Sequence, residues 1–211
     1  MSANLNGFSV KILGNGVDFF KRDNYNYFSV PHKGEYKIKL GNNRETKVDA
    51  QVTIGGEDVG TWRVGPYSTI TLQRPANINR KFTFVAEDST IAKNTGVKQN
   101  SYNNGLISVL FKPAKLSFIT PQTYSCEFDS CCNASSRVKS TNRSSSGATI
   151  LGDPSTQHFA SAERITDYDY ENISTINLRL VIAKRESYVP LSTVRSTSIP
   201  PRVDEIYDPF Y

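Results

Sequence analysis

The chain has 211 residues, with 25 basic and 20 acidic side chains whose signs alternate over most of its length to give a net charge of +5. That mixture lacks the concentrated basic stripe of a nucleic-acid binder, and no run approaches the roughly 18 uninterrupted apolar residues of a membrane-spanning helix. At this length a chain buries roughly 70% of its unfolded surface, so a core needs neither metal nor disulfide.

Strand formers dominate. Thr, Val, Ile and Asn are plentiful, and eleven Phe and eleven Tyr stand against the single Trp62, a supply that favours strands joined by polar turns in one sandwich or barrel. The opening Met1-Ser-Ala-Asn-Leu-Asn-Gly-Phe8 carries neither a basic nor an apolar secretory region, so a soluble protein made in the cytosol is expected.

In chain order, Phe8 to Leu13 and Tyr27 to Val30 read as strands, separated by a turn at Gly14-Asn-Gly16. Glu35 to Leu40 alternates with Tyr36, Ile38 and Leu40 inward and Lys37 and Lys39 outward. A turn is expected at Gly41-Asn42-Asn43. Lys47 to Ile54 repeats the alternation through Val48, Ala50, Val52 and Ile54, and Gly55-Gly56 turns the chain into Val59 to Val64 around Trp62. Gly65-Pro66 precedes Ser68 to Leu72, and Lys81 to Val85 alternates through Phe82 and Phe84. Short strands at intervals of roughly ten residues make a sandwich. Gly105 to Phe111 is nearly continuous in apolar residues, which suits a central strand covered on both faces. Ser174 to Ala183 alternates through Ile176, Leu178, Leu180 and Ile182.

From Pro113 to Asn172 the regularity breaks. Leu116 to Thr120 reads as one further strand, but Ser130 to Gly152 is rich in Ser, Thr, Asn and Gly and has no acidic residue; it is expected to be a long surface loop that binds something or moves. The domain is thus expected over residues 1 to 186, including the 113 to 172 excursion. Residues 187 to 211, with Pro190, Pro200, Pro201 and Pro209, form an extended C-terminal arm. Pro200, Arg202, Ile206, Tyr207, Phe210 and Tyr211 make that arm the candidate subunit interface, because a solvated tail needs no such anchors; packing on its own domain is the alternative.

No catalytic constellation assembles from the motifs, and no cofactor is implied. The only imidazoles are His32 and His158, and no serine sits in a nucleophile elbow. Asp167, Asp169 and Glu171 resemble the start of a calcium loop, but the sixth position is Asn172 where glycine is needed and the twelfth is Leu178 where glutamate is needed. Cys126, Cys131 and Cys132 are too few and too crowded for a zinc site even with His158; three reduced thiols are expected, a bridge plus a free thiol being the alternative. Arg137, Lys139 and Arg143 lie uncompensated in the acid-free loop and can touch phosphates or an acidic partner, yet without interleaved aromatics they argue against direct nucleic-acid binding. The sequons at Asn133, Asn142 and Asn172 are as many as chance supplies in such a chain.

The run Tyr36-Lys-Ile-Lys-Leu-Gly-Asn-Asn-Arg44, then Val48-Asp-Ala-Gln-Val-Thr-Ile-Gly-Gly56, Val59-Gly-Thr-Trp-Arg63, Ser68-Thr-Ile-Thr-Leu72 and Arg80-Lys-Phe-Thr-Phe84 resembles the penton proteins of large icosahedral double-stranded DNA viruses, those of chloroviruses in particular. The resemblance covers residues 35 to 112, with Ile176 to Ile182 as a returning strand. It implies an all-β single jelly roll of about eight antiparallel strands and a structural capsid protein, not an enzyme. Five copies would form a homopentamer at each vertex of the virion, beside neighbouring capsid proteins, after assembly in the host cytoplasm. A competing reading is a carbohydrate- or ligand-binding sandwich using Trp62 and the tyrosines as a platform, although Trp62 in a short strand is more simply a core residue.

Overall fold

A computed structural model describes residues 1 to 116 and 146 to 183. These form an all-β sandwich. The strands are β1 (Ala3–Leu5), β2 (Phe8–Leu13), β3 (Asp18–Arg22), β4 (Tyr25–Val30), β5 (Gly34–Glu35), β6 (Lys37–Asn42), β7 (Val48–Ile54), β8 (Glu57–Val64), β9 (Ser68–Leu72), β10 (Arg80–Ala86), β11 (Leu106–Pro113), β12 (Gly147–Pro154) and β13 (Ser174–Ile182). One short helix, α1 (Thr90–Asn94), is capped by the Ser89 side chain, which accepts from the Ala92 N–H.

One layer joins the ladder β1-β2-β6-β9 to the ladder β12-β10-β5. They are continuous because β10 resumes where β9 leaves off: Leu72 lies opposite Ile38, Thr83 opposite Glu35, and the Phe82 N–H donates to the Gln73 carbonyl at 3.0 Å. The other layer is the six-stranded sheet β3-β4-β13-β11-β7-β8. The chain changes layer at most of its connections. β2, β5 with β6, β9 with β10, and β12 belong to the first layer; β3 with β4, β7 with β8, β11, and β13 belong to the second.

The alternation seen in the sequence produces the core. Val10, Ile38, Leu40, Val48, Val52, Phe84, Val109 and Phe111 are all fully buried in one apolar cluster between the layers. Each such side chain contributes about 1.5–3 kcal/mol on burial. Tyr36, expected inward, is buried at 1% exposure, and its hydroxyl shares a 2.8 Å hydrogen bond with Thr149 of β12. Gly55 and Gly56 turn β7 into β8 with φ of +64° and +92°, the left-handed geometry that Gly-Gly supplies at a hairpin.

Several expectations change. The strands are not all antiparallel: β13 runs parallel to β4, with Leu178 beside Asn26 and Leu180 beside Phe28. There are also more than eight, because β1, β3, β5 and β12 each add one. Gly41 and Asn42 are no turn. They end β6, and Asn42, 3% exposed, donates to the carbonyls of Thr46 and Gly65 at 2.7 and 2.9 Å while its Oδ1 accepts from the Arg44 N–H; three hydrogen bonds make its burial tolerable. The end of the presumed Ser130 to Gly152 loop is strand β12, paired with β10 from Gly147 opposite Ala86 to Leu151 opposite Phe82. Pro113 is the last residue of β11, not the start of the excursion. β11 is central as expected, but it alternates, with Ile107, Val109 and Phe111 fully buried and Leu106, Ser108 and Leu110 half-buried on the outer face. Leu116, where a further strand was expected to start, is exposed and outside any strand, while residues 117 to 120 of that strand, the bulk of the loop and the arm of residues 187 to 211 lie outside the described residues.

Candidate functional site

Because β7 turns Val48, Ala50, Val52 and Ile54 into the core, Asp49, Gln51 and Thr53 face outward on the six-stranded sheet. Asp49 stands opposite Arg63 of β8. The guanidinium grips the carboxylate with two bonds, Nε to Oδ1 at 2.5 Å and Nη2 to Oδ2 at 3.1 Å, and the Tyr168 hydroxyl donates to Oδ2 at 2.7 Å. The two side chains are only 11% and 18% exposed. The bond to Asp49 holds the Arg63 guanidinium above its ordinary pKa. The same carboxylate, by accepting its hydrogen, also holds the Tyr168 phenol above the usual tyrosine range. Both effects reinforce the resting protonation states, so this trio pins chain segments together and is not poised for proton transfer. The backbone agrees. Ala114 bridges to Tyr168, the Lys115 N–H donates to Asp167, and the Asp169 N–H donates to Pro113.

Beside this pin opens a groove of about 970 Å³ lined by Arg44, Tyr67, Lys115, Asp167, Tyr170 and Asn172 among others. Tyr67 and Tyr170 are 69% and 75% exposed. Arg44 lies over the Phe8 ring at 5.2 Å and reaches Asn172 Oδ1 at 3.4 Å. The groove thus carries charges of both signs and two exposed tyrosine rings, of which Tyr170 meets Tyr168 edge to face with centroids 6.4 Å apart.

A second surface lies on the sheet edge formed by β3. The rings of Phe20 and Tyr27, opposite one another on β3 and β4, stack with centroids 5.3 Å apart on the outer face. Arg179 of β13 is the next residue in the same row, beside Tyr27, and lies 5.0 Å over the Tyr102 ring. Phe20 is 41% exposed and Tyr102 77%. Asp18 and Arg22 stand on either side of Phe20 on the same face of β3, Arg22 lies 3.7 Å from Asp23, and a cleft lined by Met1, Ser2, Asn4, Phe19 and Lys21 opens next to Phe20. Sequence reading passed over this edge. The signal was Asp23-Asn24, which takes φ of +50° and +64° between two aromatic segments and so makes a two-residue hairpin turn.

The residues singled out from sequence fare differently. Trp62 is 7% exposed, packed edge-on against Phe159, and presents no platform. His32 uses Nδ1 to accept the Ala86 N–H at 3.0 Å, a bond within the fold, while His158 is exposed. Asp169 caps the turn Tyr170–Asn172 by accepting from the Asn172 backbone and side chain, and Asp167 faces Lys115 at 3.9 Å. Among the described residues no three His, Cys, Asp or Glu side chains converge as metal ligands, and no helix is long and apolar enough to cross a membrane. The interface candidates Pro200, Arg202, Ile206, Tyr207, Phe210 and Tyr211, the basic residues Arg137, Lys139 and Arg143, and the three cysteines lie outside the described residues. No protein-family model matches the chain, and comparison with curated proteins and with solved structures returned no match.

Proposed function

We propose that the chain is a structural capsid protein, one of five subunits forming the penton at the vertex of a large icosahedral double-stranded DNA virus. The observation that carries this reading is the path of the chain. From β2 onward it passes to β4, back to β6, across to the hairpin β7 and β8, back to β9 with β10, across to β11 and back to β12. Repeated crossing between two facing sheets is how a jelly roll is wound, and here the hairpins β1–β2, β3–β4 and β7–β8 stay within a layer. In this reading β13, parallel to β4 and lodged between β4 and β11, is an addition to the roll, and β12 has moved to the outer side of β10. The segments that resemble penton proteins fall on β6 to β10.

A ring of identical subunits closes through two unlike surfaces. The mixed-charge groove at Arg44 and Tyr170 and the aromatic edge at Phe20 and Tyr27 are unlike in this sense. The test is direct: native mass measurement and negative-stain class averages of the full chain are expected to give fivefold rings. A protein that stays monomeric at high concentration sinks the proposal.

The exposed rings of Tyr25 and Tyr102 keep a second reading open, a carbohydrate- or ligand-binding sandwich that no longer relies on Trp62. Binding of a glycan array abolished by Tyr102→Ala would favour it.

A further inference from the structure

We propose that the outward face of β2, β6 and β9 binds the phosphate backbone of duplex nucleic acid, without regard to base sequence. Charge that is evenly mixed along the chain is sorted by the fold. Because Val10, Ile12, Ile38 and Leu40 point into the core, Lys11, Lys37 and Lys39 share the opposite face of their strands. Lys11 stands directly opposite Lys39, and Lys37 is the next outward residue on β6. Like charges placed opposite one another destabilise an antiparallel pair. Among the described residues none of these three ammoniums has an acidic partner that would offset the repulsion. The next outward residue after Lys37 is Glu35, and Lys81 holds it, with Nζ 3.0 and 3.2 Å from the two carboxylate oxygens. Outward charges on the other layer balance, Asp49 against Arg63 across β7 and β8, and Asp18 against Arg22 along β3. The lysine face is the one that calls for an anion.

The positions around the lysines suit phosphate oxygens. Thr71 extends the row of Lys11 and Lys39, and Ser9, Gly41 and Thr69 form the adjoining row across the same three strands. The hydroxyls of Ser9, Thr69 and Thr71 have no hydrogen-bond partner among the described residues, so they are free to donate. Gly41 keeps that row low, since a Cβ there would meet the Ser9 hydroxyl; a glycine inside a strand lets a ligand approach closely. Lysines and hydroxyls supply the contacts that hold a duplex in place while carrying no sequence information.

The same face disfavours other anions. No aromatic ring stands at an outward position of β2, β6 or β9, so unpaired bases find nothing to stack on. Leu13 is the one large apolar side chain at those positions and is half-buried, whereas a bilayer surface is held by apolar area as well as by charge. A duplex presents one negative charge per about 1.7 Å of its axis, which complements a cluster of lysines without help from either.

The test is fluorescence anisotropy of the full chain with labelled duplexes of two unrelated sequences, between about 50 and 200 mM salt. Lys11→Ala and Lys37→Ala are each expected to flatten the dependence of log affinity on log salt by about one, equally for both duplexes. Lys39→Glu sets a carboxylate opposite Lys11. It is expected to weaken binding at least about tenfold at the lower salt and, in the same protein, to raise the urea midpoint, because a cross-strand ion pair replaces a repulsion. Loss of binding is thereby separated from loss of fold. A chain with no salt-dependent affinity for either duplex overturns the proposal. So does binding that survives Lys39→Glu but disappears when Arg137, Lys139 and Arg143 are all replaced by Ala. Tighter binding to vesicles of phosphatidylserine and phosphatidylcholine than to the duplex would assign the face to a membrane and overturn it as well. The surface needs no second copy. Rings of five without affinity for the duplex would remove it and leave the vertex reading standing; binding by a chain that never forms rings would do the reverse.

Discussion

Phe8 of β2 and Phe111 of β11 stack face to face across the sandwich, with ring centroids 4.7 Å apart and planes within 3° of parallel. Both are at most 1% exposed. The pair joins the two layers at a place where Arg44 closes the stack from the outside.

Removing one ring leaves a cavity that the sheets cannot close, because both are held by ladders on either side. Phe111→Ala is therefore expected to cost about 3–5 kcal/mol in urea unfolding. Phe111→Leu, which keeps most of the volume, should cost less than about 1.5 kcal/mol.

The Asp49 pin has an asymmetric response. Asp49→Ala strands the Arg63 guanidinium with no acceptor in a site only 18% exposed, and is expected to cost about 3 kcal/mol or more. Tyr168→Phe removes one donor and should cost about 1 kcal/mol. A double-mutant cycle on Asp49 and Tyr168 checks that the two losses are coupled.

Tyr36 makes stability depend on pH at the alkaline end. Burial pushes its phenol above the ordinary tyrosine value of 10.0, outweighing the Thr149 hydrogen bond that pulls it down. Above pH of about 10 the unfolded chain releases this proton while the folded chain retains it, so stability present below that pH declines as pH rises. In Tyr36→Phe the decline is expected to be shallower, at a cost of about 1 kcal/mol at neutral pH from the lost hydrogen bond. Thermal melts between pH 8 and about 11 read the difference.

Gly105 precedes β11 with φ of +71°, and a Cβ built there would come within 2.3 Å of the Leu180 carbonyl oxygen. Its own carbonyl accepts the Leu180 N–H at 2.7 Å. Gly105→Ala combines an unfavourable backbone with a backbone clash and is expected to cost about 1–3 kcal/mol. Hydrogen exchange should show the loosening first at Leu180.

The legible parts of this fold were those governed by period-two alternation. Tyr36, Ile38 and Leu40, then Val48 to Ile54, declare their inward faces residue by residue, and all are buried. Asn42 misled because an asparagine beside glycine is turn chemistry until a buried site offers it three partners. β12 was hidden because Gly147-Ala-Thr-Ile-Leu-Gly152 carries no clear alternation; it pairs because β10 offers it an edge. The parallel match of β13 to β4 depends on residues far apart in sequence, to which local pattern is blind. The aromatic edge was half legible: Tyr27 was read as strand, but Phe20 was not, and nothing local ties Arg179 to them.

That parallel pair also sets an order of events at the ribosome. β4 emerges early, yet the strand that must lie between it and β11 is the last one described, so Asn26 waits for Leu178. Until then β4 and β11 have a gap between them, with the apolar faces of Phe28 and Val109 uncovered. Folding governed by such distant partners is slow and exposed to aggregation. The nascent chain is thus expected to reach its native sheet only after β13 has left the exit tunnel, with closure as its final step.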